Sequence, residues 1–181
     1  MKPQYKLYGM ALTAIMLVGG LCSQAQDIKF SDKPYSTPLF SATFPAGTEV
    51  KYDHDTDDPD FDDSEYKVSI DLKDGSFSTF TIKYSDYLRG TVSQKDVDTW
   101  LNKFFDVDGA VTKGPIINST LGGLSARKAS KTAKRFYDDK LELIYVLGAI
   151  SGNRRFWSAD VICSKCTQVD ADKFFDSIKL K

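Results

Sequence analysis

Cys163 and Cys166, with Ser164-Lys165 between them, are the residues of this chain best suited to covalent chemistry. Two thiols at that spacing can close a disulfide or exchange electrons with another dithiol. A reactive thiolate needs a helix N-terminus or nearby cations to lower its pKa. Lys165 is at hand, but the next helix reads as opening at Asp170, several residues too late. The first expectation is therefore a disulfide that clips the last turn, and the alternative is a thiol-disulfide redox protein. A loop of four residues is worth only about 2 kcal/mol to stability by the chain-entropy argument.

Asp53, Asp55 and Asp57 occupy the first three alternate positions of a calcium loop, and hard cations prefer clustered carboxylates. The rest of that pattern fails. Asp58 stands where the sharp turn needs glycine, Pro59 follows it, and Ser64 occupies the closing position with Glu65 one residue out of register. The stretch 49–65 carries nine acids against Lys51, so it reads as a solvated loop that binds calcium weakly and without selectivity. His54, the only histidine, lies within it, which argues against a histidine-based triad on the sheet and against a multi-histidine metal site. No cofactor is expected.

A third group is basic. Arg127, Lys128, Lys131, Lys134 and Arg135 follow one another without an intervening acid. If 124–137 is a strand, Arg127, Lys131 and Arg135 share one face, spaced by Ala129 and Ala133, while Lys128 and Lys134 share the other. A helix is the alternative for this segment. The face with Arg127, Lys131 and Arg135 is expected to be an exposed stripe that attracts an anionic partner or surface, more weakly as salt rises. Nucleic acid is not expected, because no recognised binding motif is present.

The elements that must position these residues are mostly strands. In 140–150, Leu141, Leu143, Tyr145, Leu147 and Ala149 point one way and Ile144, Val146 and Ile150 the other, so both faces call for burial, as in a central strand. Gly152-Asn153 offers a two-residue turn, and 155–163 returns with Trp157, Ala159, Val161 and Cys163 on one face. Residues 66–72 and 77–84 alternate around Asp74-Gly75, a strong hairpin signal. Ser93 opens an amphipathic helix over about 93–108, with Val97, Trp100, Leu101, Phe104 and Phe105 at helical spacing and Gly109 as its stop. A short helix over about 170–179 presents Phe174, Phe175 and Ile178 on one side.

The chain begins with Lys2 and Lys6, an apolar run over 10–21, and Ser23-Gln24-Ala25, which reads as a signal peptide cleaved after residue 25. Cys22 supplies the alternative, a lipoprotein anchor, although bulky Leu21 fits a lipobox poorly. Residues 26–38 read as a flexible lead-in and 39–181 as a single α/β domain. No transmembrane segment is expected, since the apolar run falls short of the roughly 20 residues a membrane helix needs. Without residues 1–25 the chain keeps 22 basic and 25 acidic residues, a net charge near −3 that singles out no class of partner.

The order of elements resembles the PsbP-like α/β fold. The resemblance rests on the Phe-Pro ending of 40–45, YSDY at 84–87, the Leu121-Gly122-Gly123 turn before a long strand, the 140–150 strand, and DADKFFDSIKL at 170–180. It implies an α+β domain, a single antiparallel sheet of about six to seven strands with the two helices packed on it. It implies little about activity. Relatives of that fold include a photosystem II extrinsic subunit, a nuclear-import factor that binds a GTPase, and many small secreted bacterial proteins with no assigned role. The sequence thus points to an exported protein, periplasmic or secreted, that binds rather than transforms.

Overall fold

The structure, a computed structural model, describes residues 28–71, 77–106, 110–134 and 141–181. In chain order its elements are β1 (Tyr35–Ser36), β2 (Phe40–Ala42), β3 (Lys51–Asp55), β4 (Phe61–Asp71), β5 (Phe77–Tyr87), α1 (Gln94–Asp106), β6 (Ala110–Lys113), β7 (Ile117–Leu121), β8 (Leu124–Lys134), β9 (Leu141–Ser151), β10 (Arg155–Cys163), α2 (Gln168–Ser177) and β11 (Lys179–Leu180).

These make two sheets. The larger has eight strands in the order β3-β4-β5-β10-β9-β8-β6, with β7 sharing the outer edge of β8, and the smaller is β1-β2-β11. All paired strands run antiparallel. The fold is therefore mostly β, with eleven strands and two short helices among the described residues, and not the single sheet of six to seven strands expected of an α+β domain. The extra strands are ones that periodicity cannot reveal. β1 and β11 have two residues each, and β3 is exposed at every position, so no alternation of apolar and polar residues marks it.

The two helices lie on opposite faces of the large sheet. On one, Val97 and Leu101 of α1 pack on Ala129 and Ala133 of β8 and Ile144 and Val146 of β9. The alanines let the helix come close, and so does Gly148 of β9. A Cβ there would lie 2.9 Å from Val97 Cγ1 and 3.3 Å from the Trp100 ring. The other face carries the main core. Phe40 and Phe44 from the small sheet and Phe174 and Phe175 of α2 cover Val68, Phe80, Ile82, Leu147, Trp157, Ala159 and Val161. Aromatic contacts knit the layers, Phe40 to Tyr66 at 4.9 Å and Phe44 to Phe174 at 5.3 Å between centroids.

The hairpin of β9 and β10 pairs Ser151 with Arg155, so its loop has three residues, 152–154, where a two-residue turn was expected; Gly152 takes a φ of 67°. β10 is the seam of the large sheet, paired with β5 on one side and β9 on the other. The segment read as a lead-in is built into the fold where described. Ile28 is buried, Phe30 bridges to Pro45, and Tyr35 packs against Phe40 and Phe44. Residues 1–25, with the signal-peptide features and Cys22, lie outside the described residues, as does the Asp74-Gly75 turn.

Candidate functional site

Because α1 packs over β8, β9 and β6, it leaves open the same sheet face farther along, over β10, β5 and β4. There, between the helix and the strands, lies a cleft of about 350 Å³. Its floor is set by strand register. Phe61 of β4 pairs with Tyr87 of β5, Asp63 with Ser85, and Phe156 and Ser158 of β10 with Ser85 and Lys83, so all seven side chains stand on one face. Asp160 extends the β10 row, and Val92, Asp96 and Trp100 form the wall on the helix side.

The cleft is aromatic at its sides and acidic in its polar groups. Trp100 meets Phe156 edge to face at 5.1 Å, and Phe61 meets Tyr87 at 4.7 Å. Asp63, Asp96 and Asp160 face one cation, Lys83, whose Nζ lies 2.5 Å from Asp63 Oδ2. Asp63 Oδ1 is covered and has no donor. Asp96 accepts both the Ser93 N–H (2.7 Å) and the Ser93 hydroxyl (2.6 Å) at the start of α1, and these bonds hold its carboxyl below the usual range. Burial, reinforced by the carboxylates of Asp96 and Asp63, keeps the Tyr87 phenol protonated well past its ordinary value.

Asp160 is the most perturbed of these groups. Its carboxyl is enclosed by the sheet with only part of its surface open to the cleft, and burial pushes it up to about 7. The Thr81 hydroxyl donates to it and Lys67 lies near, both opposing the rise, while Glu65 adds to it. A carboxyl poised near neutrality in a cleft is the kind of group that functional sites contain.

The residues singled out in the sequence lie elsewhere. The basic run is divided between the two helices. Arg127 Nε donates to Asp98 of α1 at 3.0 Å, and Lys131, 7 % exposed, donates to the Phe104 carbonyl at 2.6 Å with its ammonium 4.0 Å from the Phe104 ring centre. Burial lowers the Lys131 pKa, and Lys113 adds to the effect. Lys128, on the other face, pairs with Asp172 of α2. Arg135 lies outside the described residues. The face bearing Arg127 and Lys131 is thus covered by α1 and is not an exposed stripe, since the alanines between the cations are the small residues that admit the helix.

Asp53 and Asp55 lie on β3, where alternate residues stand roughly 6.4 to 6.8 Å apart along an extended strand rather than wrapped around one ion. Asp57 follows the strand and gives its backbone N–H to Asp55 Oδ1 at 2.9 Å. Among the described residues, no three His, Cys, Asp or Glu side chains are placed to hold a metal. His54 pairs with Asp62 at 2.6 Å on the opposite face of β3 from Asp53 and Asp55.

Cys163 and Cys166 stand at disulfide distance, their Cα atoms 5.6 Å apart. The helix after them begins earlier than expected. Thr167 is the N-cap of α2, with Asp170 as its capping-box partner rather than the cap itself. The pair therefore directly precedes a helix N-terminus, yet Cys163 is 0 % and Cys166 4 % exposed, beneath α2 and away from any dithiol partner. Burial of this depth shields the pair from an outside thiol.

The cleft was not legible in the sequence. Its one trace is the alternation of Phe156, Ser158 and Asp160 against the wholly apolar face of Trp157, Ala159 and Val161. That pattern says only that one face of β10 is polar; the position of α1 beside it comes from the tertiary fold.

No protein family and no curated protein matches this sequence. Among solved structures, the chain is similar to LpqN of Mycobacterium tuberculosis, described as involved in cell envelope biogenesis. The TM-score is 0.50 at 10 % sequence identity, over 86 % of this chain and 92 % of that one. The likeness concerns the fold alone, and it does not establish the PsbP-like family. No helix among the described residues is long and apolar enough to cross a membrane.

Proposed function

We propose that this protein is an exported module of the cell envelope that binds a small ligand in the cleft beside α1 without transforming it. The observation that carries the reading is the cleft itself. Aromatic rings, two serines, three carboxylates and one lysine converge there on a space within the small-ligand range. Ser85 and Ser158 have no imidazole to activate them, because the one histidine projects from the other face of the sheet. The signal-peptide features of residues 1–25 support export, and the similarity to an envelope-biogenesis protein is consistent with it.

The test has two parts. Mass spectrometry of protein recovered from outside the cytoplasm is expected to find a chain beginning at Gln26; a lipid-modified Cys22 or an uncleaved cytoplasmic chain would overturn that part. A fragment library spanning cations, anions, sugars and neutral aromatics is then screened by amide chemical shifts. Shifts are expected along β4, β5 and β10 in the native protein and not in Ser85→Trp, which fills the cleft. Absence of any fragment at the cleft removes the binding reading.

A further inference from the structure

We propose that the cleft takes a small organic ammonium ion, drawn by the carboxylates of Asp63, Asp96 and Asp160 and with its apolar part against Trp100 and Phe156. The inference rests on the binding reading above and adds the class of ligand.

Three features of the cleft favour a cation over an anion or a neutral ligand. Its carboxylates, Asp63, Asp96 and Asp160, outnumber its one lysine, and Lys83 is already engaged by Asp63 at 2.5 Å. The excess continues outside the cleft, since register puts Asp53, Asp55 and Glu65 on the same face, against Lys51 and Lys67. Asp63 Oδ1 has no donor, and a covered carboxylate oxygen is costly until a donor reaches it. A cation held beside the carboxylate offsets that cost by its charge. Finally, the sides are aromatic, and ring faces attract cations that carry alkyl groups. The protein already uses this attraction on its own cations, as in Lys131 over Phe104 at 4.0 Å and Arg155 over Tyr84 at 4.9 Å.

The site should also respond to pH. The groups facing Asp160 are Thr81 and Lys83 from β5, Asp63, Glu65 and Lys67 from β4, Val146 from β9, and Asp96 with Trp100 from α1. None is a histidine. Asp160, which burial raises to about 7, is then the group in the cleft that changes charge near neutrality. Its protonated form offers the cation nothing.

The experiment is calorimetric titration of the full mature chain with benzyltrimethylammonium, whose charge does not depend on pH. Benzyl alcohol, benzoate and methyl glucoside are run beside it. The ammonium is expected to bind at least about tenfold more tightly than benzyl alcohol at about pH 8, and to weaken about tenfold or more by about pH 5.5 as Asp160 takes up its proton. Asp160→Asn should abolish that pH dependence and Asp63→Asn should weaken binding at both pH values. Sedimentation with phosphatidylethanolamine vesicles distinguishes an ammonium on a lipid headgroup from a free one, and binding in either form supports the proposal. If benzoate, benzyl alcohol or the glucoside binds at the cleft as well as or better than the ammonium, the ligand class is wrong and the binding reading survives. If ammonium affinity is unchanged across the pH range, the assignment to Asp160 is overturned. If no probe enters the cleft, the binding reading falls with it.

Discussion

An acid held near neutrality must leave a mark on stability, and Asp160 gives that mark a definite sign. Folded, its carboxyl is pushed up to about 7 by burial, and unfolded it returns to its ordinary value of 3.8. Between these values the native chain holds a proton that the unfolded chain has released. The contribution is therefore fully present below about pH 4 and is lost as pH rises towards about 7. Asp160→Asn removes the titration while keeping the shape. Urea unfolding should show the variant gaining on the native protein between about pH 4 and about pH 8, by roughly 2 to 4 kcal/mol. A difference that stays constant with pH would show that Asp160 is not the strained acid described here. The sequence offered no warning of this group, because Asp160 has the ordinary appearance of a polar residue on the outer face of a strand. What raises its pKa is burial between β5 and β9, and that depends on pairings between residues as distant as Asp160 and Thr81.

The strands and helices make sense of the basic run. β8 sends Arg127 and Lys131 up to α1 and Lys128 down to α2, so one strand fastens both helices to the sheet. Alternation alone grouped Arg127 with Lys131 and set Lys128 opposite. Which side faces water could not be read from it, because both sides are covered by helices distant in sequence. Lys131 bonds a carbonyl in the last turn of α1, where a cation also favours the helix dipole. Lys131→Ala is expected to cost about 2 kcal/mol in chemical denaturation, since it removes that hydrogen bond and empties packed space. Arg127→Ala should cost less than about 1 kcal/mol, because its pair with Asp98 is partly solvated. Equal costs would argue that the covering of Lys131 is not what gives it value. The cysteine pair acts at the same scale, fixing the end of β10 to the start of α2. Replacing both by serine should cost about 2 kcal/mol and create no change in reductase activity, measured against the native protein. Turnover of a disulfide substrate by the native chain would restore the redox alternative.

At the scale of the molecule, the sequence marks the long strands and both helices but not their number or layering. The 66–71, 77–84 and 155–163 segments alternate in sequence and 141–150 is apolar on both faces, and these segments form β4, β5, β10 and β9. The smaller sheet escapes notice because its strands are too short for any period, and its pairs join opposite ends of the chain. Lys179 and Leu180 lie beside Ser41 and Phe40, and the Lys181 N–H donates to the Leu39 carbonyl at 2.9 Å. Removing the last three residues should therefore loosen β2 and the core around Phe40, which hydrogen exchange would detect as faster exchange in 39–44. Exchange confined to the new C-terminus would contradict that coupling.

The position of β10 in the large sheet has a consequence for how the molecule comes into being. It joins β3-β4-β5 to β9-β8-β6, and it is the last strand of that sheet to be synthesised. Until it emerges, a growing chain holds two half-sheets with nothing to unite them, and the aromatic layer of α2 and β11 comes later still. Completion of the large sheet is thus deferred until its last strand has been made. Under the export proposed above, a chain that remains open for so long is one that a translocation machinery can still thread.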